Sequence, residues 1–136
     1  MLKELEIEAK DANLDTVLDF VNGELEQLDC PPNMTIKLSV AVEEIFVNIA
    51  HYAYGGKIGN AKVQVEGIRE PRGINITFID SGTPYDPLKK EDPDISLSAE
   101  ERQIGGLGIY MVKKTADEID YRYEDGRNIL HMYKGF

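Results

Sequence analysis

Apolar residues recur along this chain with two spacings, and the switches between them mark its elements. In "LKELEIEA" Leu2, Leu5 and Ile7 alternate with charge, which predicts a half-exposed strand. In "NLDTVLDFVNGELEQL" the spacing becomes helical at Leu14, Val17, Leu18, Val21, Leu25 and Leu28, with Asn13 a suitable N-cap. "DCPPN" breaks the chain, a second helix is predicted from about Met34 to Tyr54, and the glycines of "YGGKIGN" end it. "AKVQVEGI" and "GINITFID" both alternate around the turn signal "REPRG", which predicts a hairpin. The long segment "DSGTPYDPLKKEDPDISLSAEERQIGG" has little apolar periodicity, and such a stretch inside a compact domain is usually functional, often a lid. "GLGIYMVKKTA" reads as a short helix, and "EIDYRYEDGRNILHMYKG" as two strands joined at Asp125–Gly126. Hairpins with helices grouped between them predict an α+β fold. It is a two-layer sandwich with a mixed, mostly antiparallel sheet and helices on one face, forming one domain over residues 1–136.

Composition narrows the function. Of 136 residues, 42% are hydrophobic and 29% charged, which fits an ordinary globular domain. The net charge of -10, from 25 acidic against 15 basic residues, argues against nucleic acid or an anionic membrane as the main partner, since both require clustered cations. A nucleotide stays open, because it responds to local backbone donors more than to net charge. The single cysteine, Cys30, fits a reducing compartment and reads as a spacer in a loop rather than a nucleophile. The N-terminus has no apolar signal region and no run is long enough to span a bilayer, so a cytoplasmic protein is expected.

Polar residues interrupt the second helix in "VEEIFVNIAHYAY". At roughly 100° per residue, Leu38, Ala41, Val42, Ile45, Phe46 and Ile49 form the core side. Lys37, Glu44, Asn48 and His51 form a stripe beside it, so geometry pairs Asn48 with Glu44 and leaves Glu43 elsewhere. A solvated helix face explains the stripe. So does a hard-cation site, with Asn48 giving a neutral oxygen to Mg2+ and Glu44 orienting or deprotonating a nucleophile.

Two glycine-bearing segments follow. Asp80 ends the apolar strand "INITFI" and is followed by Ser81 and Gly82, which aims a carboxylate into a pocket with room for close ligand approach. An exocyclic amino group such as that of adenine is a natural donor to it, although an ordinary Asp-Ser-Gly turn accounts for the residues equally. In "ERQIGGLGIYMVKK", Gly105, Gly106, Leu107 and Gly108 lead into a helix, and free N–H groups at a helix N-terminus favour phosphate. No P-loop motif is present, and the upstream lid does not suit a Rossmann fingerprint. Arg102 is a candidate phosphate partner. Asp92, Asp94, Glu100 and Glu101 read as solvated.

Taken in order, "E-x-x-x-N" on a helix, "D-x-G-x-P-Y-D" after a strand and "G-G-L-G-I" opening a helix resemble the Bergerat-type ATP-binding fold of the GHKL ATPases, in particular its anti-sigma-factor serine-kinase branch. The resemblance covers nearly the whole chain. It implies ATP and Mg2+ as cofactors, Asn48 as metal ligand, and Glu44 as the base for a substrate serine. It also implies Asp80 as the adenine acceptor with Gly82 shaping that pocket, Gly105 to Gly108 as the phosphate loop, and Arg102 near the γ-phosphate. The implied partners are an anti-anti-sigma (STAS) protein as substrate, a sigma factor as competitor, and a second copy of the chain. Tyr52 and Tyr85 stand where relatives usually carry His and Phe, so His51 does not inherit the usual role. A second reading is a non-catalytic ATP-dependent switch, which has no need of a base at Glu44. A third, the catalytic domain of a two-component histidine kinase, needs a dimerising helical segment and phosphoacceptor histidine that this sequence does not show.

Overall fold

The computed structural model describes residues 2–89 and 107–136. Among these residues the elements run β1 (Leu2–Glu8), α1 (Leu14–Gln27), α2 (Pro32–Asn48), β2 (Asn60–Arg69), β3 (Arg72–Asp80), α3 (Leu107–Thr115), β4 (Glu118–Glu124) and β5 (Arg127–Gly135). The sheet order is β1-β2-β3-β5-β4 and every pairing is antiparallel, so the sheet is not mixed. Both predicted hairpins form.

Strand alternation builds the core. Val63, Val65, Ile76, Phe78 and Met132 point inward and are at most 1% exposed. They join a cluster with Val17, Leu25, Leu38, Val42 and Phe46 from α1 and α2. Burying each large side chain contributes roughly 1.5–3 kcal/mol. Intervening residues such as Glu6, Lys62 and Thr77 face the other way, so the helices cover one side.

β1 corrects one expectation. Leu2 is 55% exposed, because a side-chain period of two cannot place Leu2 and Leu5 on one side. Lys3 takes the inner side instead, with its Nζ 2.8 Å from Oε2 of the buried Glu24 on α1. Gly67 of β2 makes room for that carboxylate, since a Cβ there would meet Glu24 Oε1 at 2.5 Å.

Helix ends also differ from the pattern. Asn13 precedes α1 but does not cap it; its Nδ2 donates to the Glu8 carbonyl at 2.9 Å. α2 starts at Pro32, where a missing N–H costs nothing, and after Asn48 it continues as a π-helical turn, Ile49–Ala53. Gly55 and Gly56, at φ 59° and 87°, end it as expected. Asp125 and Gly126, at φ 54° and 76°, make the predicted turn between β4 and β5. α3 begins at Leu107, so Gly108 lies inside its first turn rather than before it. Of the predicted lid, residues 81–89 are described and end in a 3₁₀ turn, Pro87–Lys89. Asp92, Asp94, Glu100, Glu101, Arg102, Gly105 and Gly106 lie outside the described residues. No described helix is long and apolar enough to cross a membrane.

Candidate functional site

The stripe on α2 is a bonded pair rather than a row of solvated groups. Asn48 Nδ2 donates to Glu44 Oε1 at 3.2 Å, one turn earlier. Its carbonyl Oδ1 then has no protein partner among the described residues. The Glu44 carboxylate rests on the first turn of α3, where a Cβ on Gly108 would fall 2.0 Å from Glu44 Cδ. Gly108 therefore admits the glutamate. Glu43 and Lys37 are exposed. His51 is bound elsewhere, its Nε2 lying 2.9 and 2.8 Å from the two oxygens of Asp11.

Asp80 ends β3 with 7% of its surface exposed. Its Oδ1 accepts from the Gly82 N–H at 2.9 Å and from Asn128 Nδ2 at 2.9 Å. Oδ2 has no protein donor among the described residues. The reason for glycine at Gly82 differs from the expectation of ligand approach. A Cβ there would stand 2.2 Å from the Ala53 carbonyl oxygen, so the close neighbour is backbone of the same chain. Asp86 serves its own turn, accepting from the Leu88 N–H at 2.9 Å.

Between the end of α2, β3, β5 and residues 83–87 lies a cavity of about 200 Å³. Ile45, Ile49, Phe78, Ile109 and Leu130 make its apolar walls, and Asn48 and Asp80 also line it. An apolar cavity with a few polar residues in its lining suits a purine base. Tyr52 and Tyr85, 70% and 50% exposed, flank it, at the positions that depart from the usual pattern.

Asn128 was not among the sequence candidates, and it organises the base end of this cavity. Its Nδ2 donates to Asp80 Oδ1 and, at 3.0 Å, to the Thr83 carbonyl. Its Oδ1 accepts from the Tyr85 N–H at 3.1 Å and from the Tyr121 hydroxyl. Burial pushes the Tyr121 pKa up, as do the nearby carboxylates of Asp86 and Asp80, against the pull of the Tyr85 N–H, so this hydroxyl remains a donor at neutral pH. The signal was available: Asn128 shares its strand parity with Leu130 and Met132, a polar residue at a core position.

The unpaired oxygens fit ATP with Mg2+. One neutral oxygen, from Asn48, suits an ion that keeps several waters and binds phosphate oxygens. Among the described residues there is no group of three or more His, Cys, Asp or Glu that could hold a metal by itself. The Asp80 Oδ2, with no protein donor among the described residues, suits an amino donor.

Comparison with known proteins agrees with this fold. The sequence matches the histidine kinase-like ATPase domain over residues 7–134. It is 30% identical over 97 residues to a serine-protein kinase RsbW of Bacillus cereus, covering 68% of this chain and 59% of that protein. It is 26% identical over 97 residues to RsbW of Listeria monocytogenes, covering 68% and 61%. The match thus spans about three fifths of these relatives' length. In structure it resembles the RsbU and RsbW domains of a Mycobacterium tuberculosis protein, with TM-score 0.67 and 14% identity over 98% of this chain and 32% of that one. It also resembles a chain of the SiaB-SiaC complex of Pseudomonas aeruginosa, with TM-score 0.61 and 14% identity over 97% and 89%. By sequence match and by fold, the chain belongs to the histidine kinase-like ATPase domain family, the GHKL group that its motifs resemble.

Proposed function

We propose that this chain is an ATP- and Mg2+-dependent serine-protein kinase whose substrate is a STAS-domain anti-anti-sigma protein and whose competing partner is a sigma factor. The observation that carries the reading is the Glu44–Asn48 pair. One hydrogen bond from the Asn48 amide to Glu44 leaves the Asn48 carbonyl for a cation and holds a carboxylate one turn earlier, against the start of α3. Relatives named serine-protein kinase and a neighbour solved as a SiaB-SiaC complex support it.

In this reading Asp80 Oδ2 accepts from the adenine amino group and the apolar walls hold the ring. Asn48 Oδ1 would hold Mg2+, which would supply neutralisation of phosphate charge. Gly105, Gly106, Leu107 and Gly108 offer backbone N–H groups to the phosphates, with Arg102 beside the γ-phosphate. Glu44 takes the proton from the substrate serine as its oxygen bonds to the γ-phosphorus; the bond to the β-phosphate oxygen breaks and ADP leaves. Such transfer is mostly positioning and charge neutralisation, so this set of groups is sufficient. The test is incubation with γ-labelled ATP, Mg2+ and STAS proteins encoded nearby. Label on a serine is expected; ATP binding without transfer to any of them would mark a binding switch instead.

A further inference from the structure

Tyr54 closes the same stretch that carries Glu44 and Asn48, and the reading above gives it no task. Its phenol oxygen accepts from the Ser81 N–H at 2.9 Å and donates to the Asn60 carbonyl. It thereby ties the end of α2 to the first residue of β2 and to the peptide that follows Asp80. The ring occupies the space above Gly59, where a Cβ would lie 2.4 Å from ring carbons. One residue earlier, the Ala53 carbonyl accepts from the Thr83 N–H at 2.8 Å. The helix ends here, and the Lys57 N–H bonds to the Tyr54 carbonyl, so the Ala53 oxygen is available to the loop. Two consecutive residues thus grip the turn at Ser81 and Thr83, with Gly82 pressed between.

We propose that Tyr54 is a positioning residue for the base acceptor: by holding the Asp80–Ser81 peptide it fixes the aim of Asp80 Oδ2 into the cavity. The inference rests on the ATP-binding reading and extends it, since it couples the helix that carries the cation ligand to the turn that recognises the base. Asn128 and Gly82 restrain the Asp80 side chain from its other oxygen; Tyr54 restrains the backbone. Burial pushes the phenol's pKa up and the Asp80 charge adds to this, against the Ser81 N–H, so the hydroxyl keeps its proton at neutral pH.

The test compares calorimetric affinities for ATP and for purine riboside triphosphate, which lacks the amino group that Asp80 accepts from. Tyr54→Phe keeps the ring and its packing on Gly59. It removes both hydroxyl bonds and is expected to weaken ATP by roughly 3- to 10-fold, the scale of one weakened hydrogen bond to the amino group, and to leave the purine analogue unchanged. Gly59→Ala, which displaces the ring, is expected to reproduce that ATP-specific loss. Equal weakening of both nucleotides, or no change in either, overturns the proposal. A wild-type protein that binds the two nucleotides equally overturns the adenine-acceptor reading of Asp80 itself, and the role of Tyr54 with it.

Discussion

In the proposed reading Asp80 divides its two oxygens between protein and ligand, and that division predicts how the site responds to substitution. Oδ1 is held by Gly82 and Asn128, so the side chain cannot rotate to offer the wrong atom. Asp80→Asn keeps the shape but puts either a donor or a weaker acceptor at the ligand position. ATP affinity is expected to fall roughly 10- to 100-fold, the cost of a buried polar group losing its partner, and titration calorimetry would show it. Glu44→Gln still accepts from Asn48 but cannot take a proton. Binding is expected to persist while phosphotransfer drops by roughly 10²–10⁴, and full transfer by this variant would remove Glu44 as base. The Glu44–Asn48 pair was legible in the sequence because i,i+4 neighbours on a helix always meet. Asn128 showed only as a polar residue at a core parity; its role did not show, because Asp80, Thr83 and Tyr85 lie 43 to 48 residues away.

At the scale of elements, contacts between backbone segments decide what a substitution costs. Gly82→Ala sets a Cβ against the Ala53 carbonyl, which is main chain and cannot swing aside. Such overpacking costs about 1–3 kcal/mol, so thermal denaturation is expected to show a Tm lower by roughly 3–10 °C. Asp117, just before β4, accepts from the Gly135 N–H at 2.8 Å and from Lys134 Nζ at 3.0 Å, tying the end of β5. The Gly135 N–H, and then Lys134, hold its carboxyl below the ordinary value of 3.8. A lowered folded pKa means its stabilisation is complete above the unfolded value and is lost as pH falls through the folded one. The Tm of the wild type is therefore expected to drop on acidification below about pH 4, and Asp117→Asn to show a shallower drop from a lower start. A steeper acid response in the variant would count against this. The π-helical turn belongs here too: periodicity predicted one helix to Tyr54, and Ile49–Ala53 is too short a stretch for its wider bonding to show in apolar spacing.

For the molecule as a whole, ligand and fold are linked, because both walls of the cavity come from the core. Phe78 and Ile45 serve the sheet–helix interface and the pocket at once. Binding to the folded state alone raises stability, by about 2.7 kcal/mol at a hundred times Kd. For a domain of this size that is a Tm gain of roughly 10 °C with ATP and Mg2+. Because Mg2+ would neutralise phosphate charge at the site, chelating the metal is expected to remove most of the gain. An equal shift with and without Mg2+ would argue against Asn48 as its ligand.

By itself the sequence determined what depends on neighbours in the chain: strands of period two, helices of period 3.6, the Asp-Gly turn, the one-turn spacing of Glu44 and Asn48, and an ordered set of motifs that resemble one family. Leu2 shows the limit even there, since charge alternation looked regular while its parity was wrong. The tertiary structure alone decided which distant atoms meet. It set Gly108 under Glu44, Gly82 against Ala53, Asn128 on Asp80 and Tyr54 on Ser81. Those contacts follow from strand pairing and helix docking, which local spacing does not encode, and they determine which oxygens of Asp80 and Asn48 are left for a ligand.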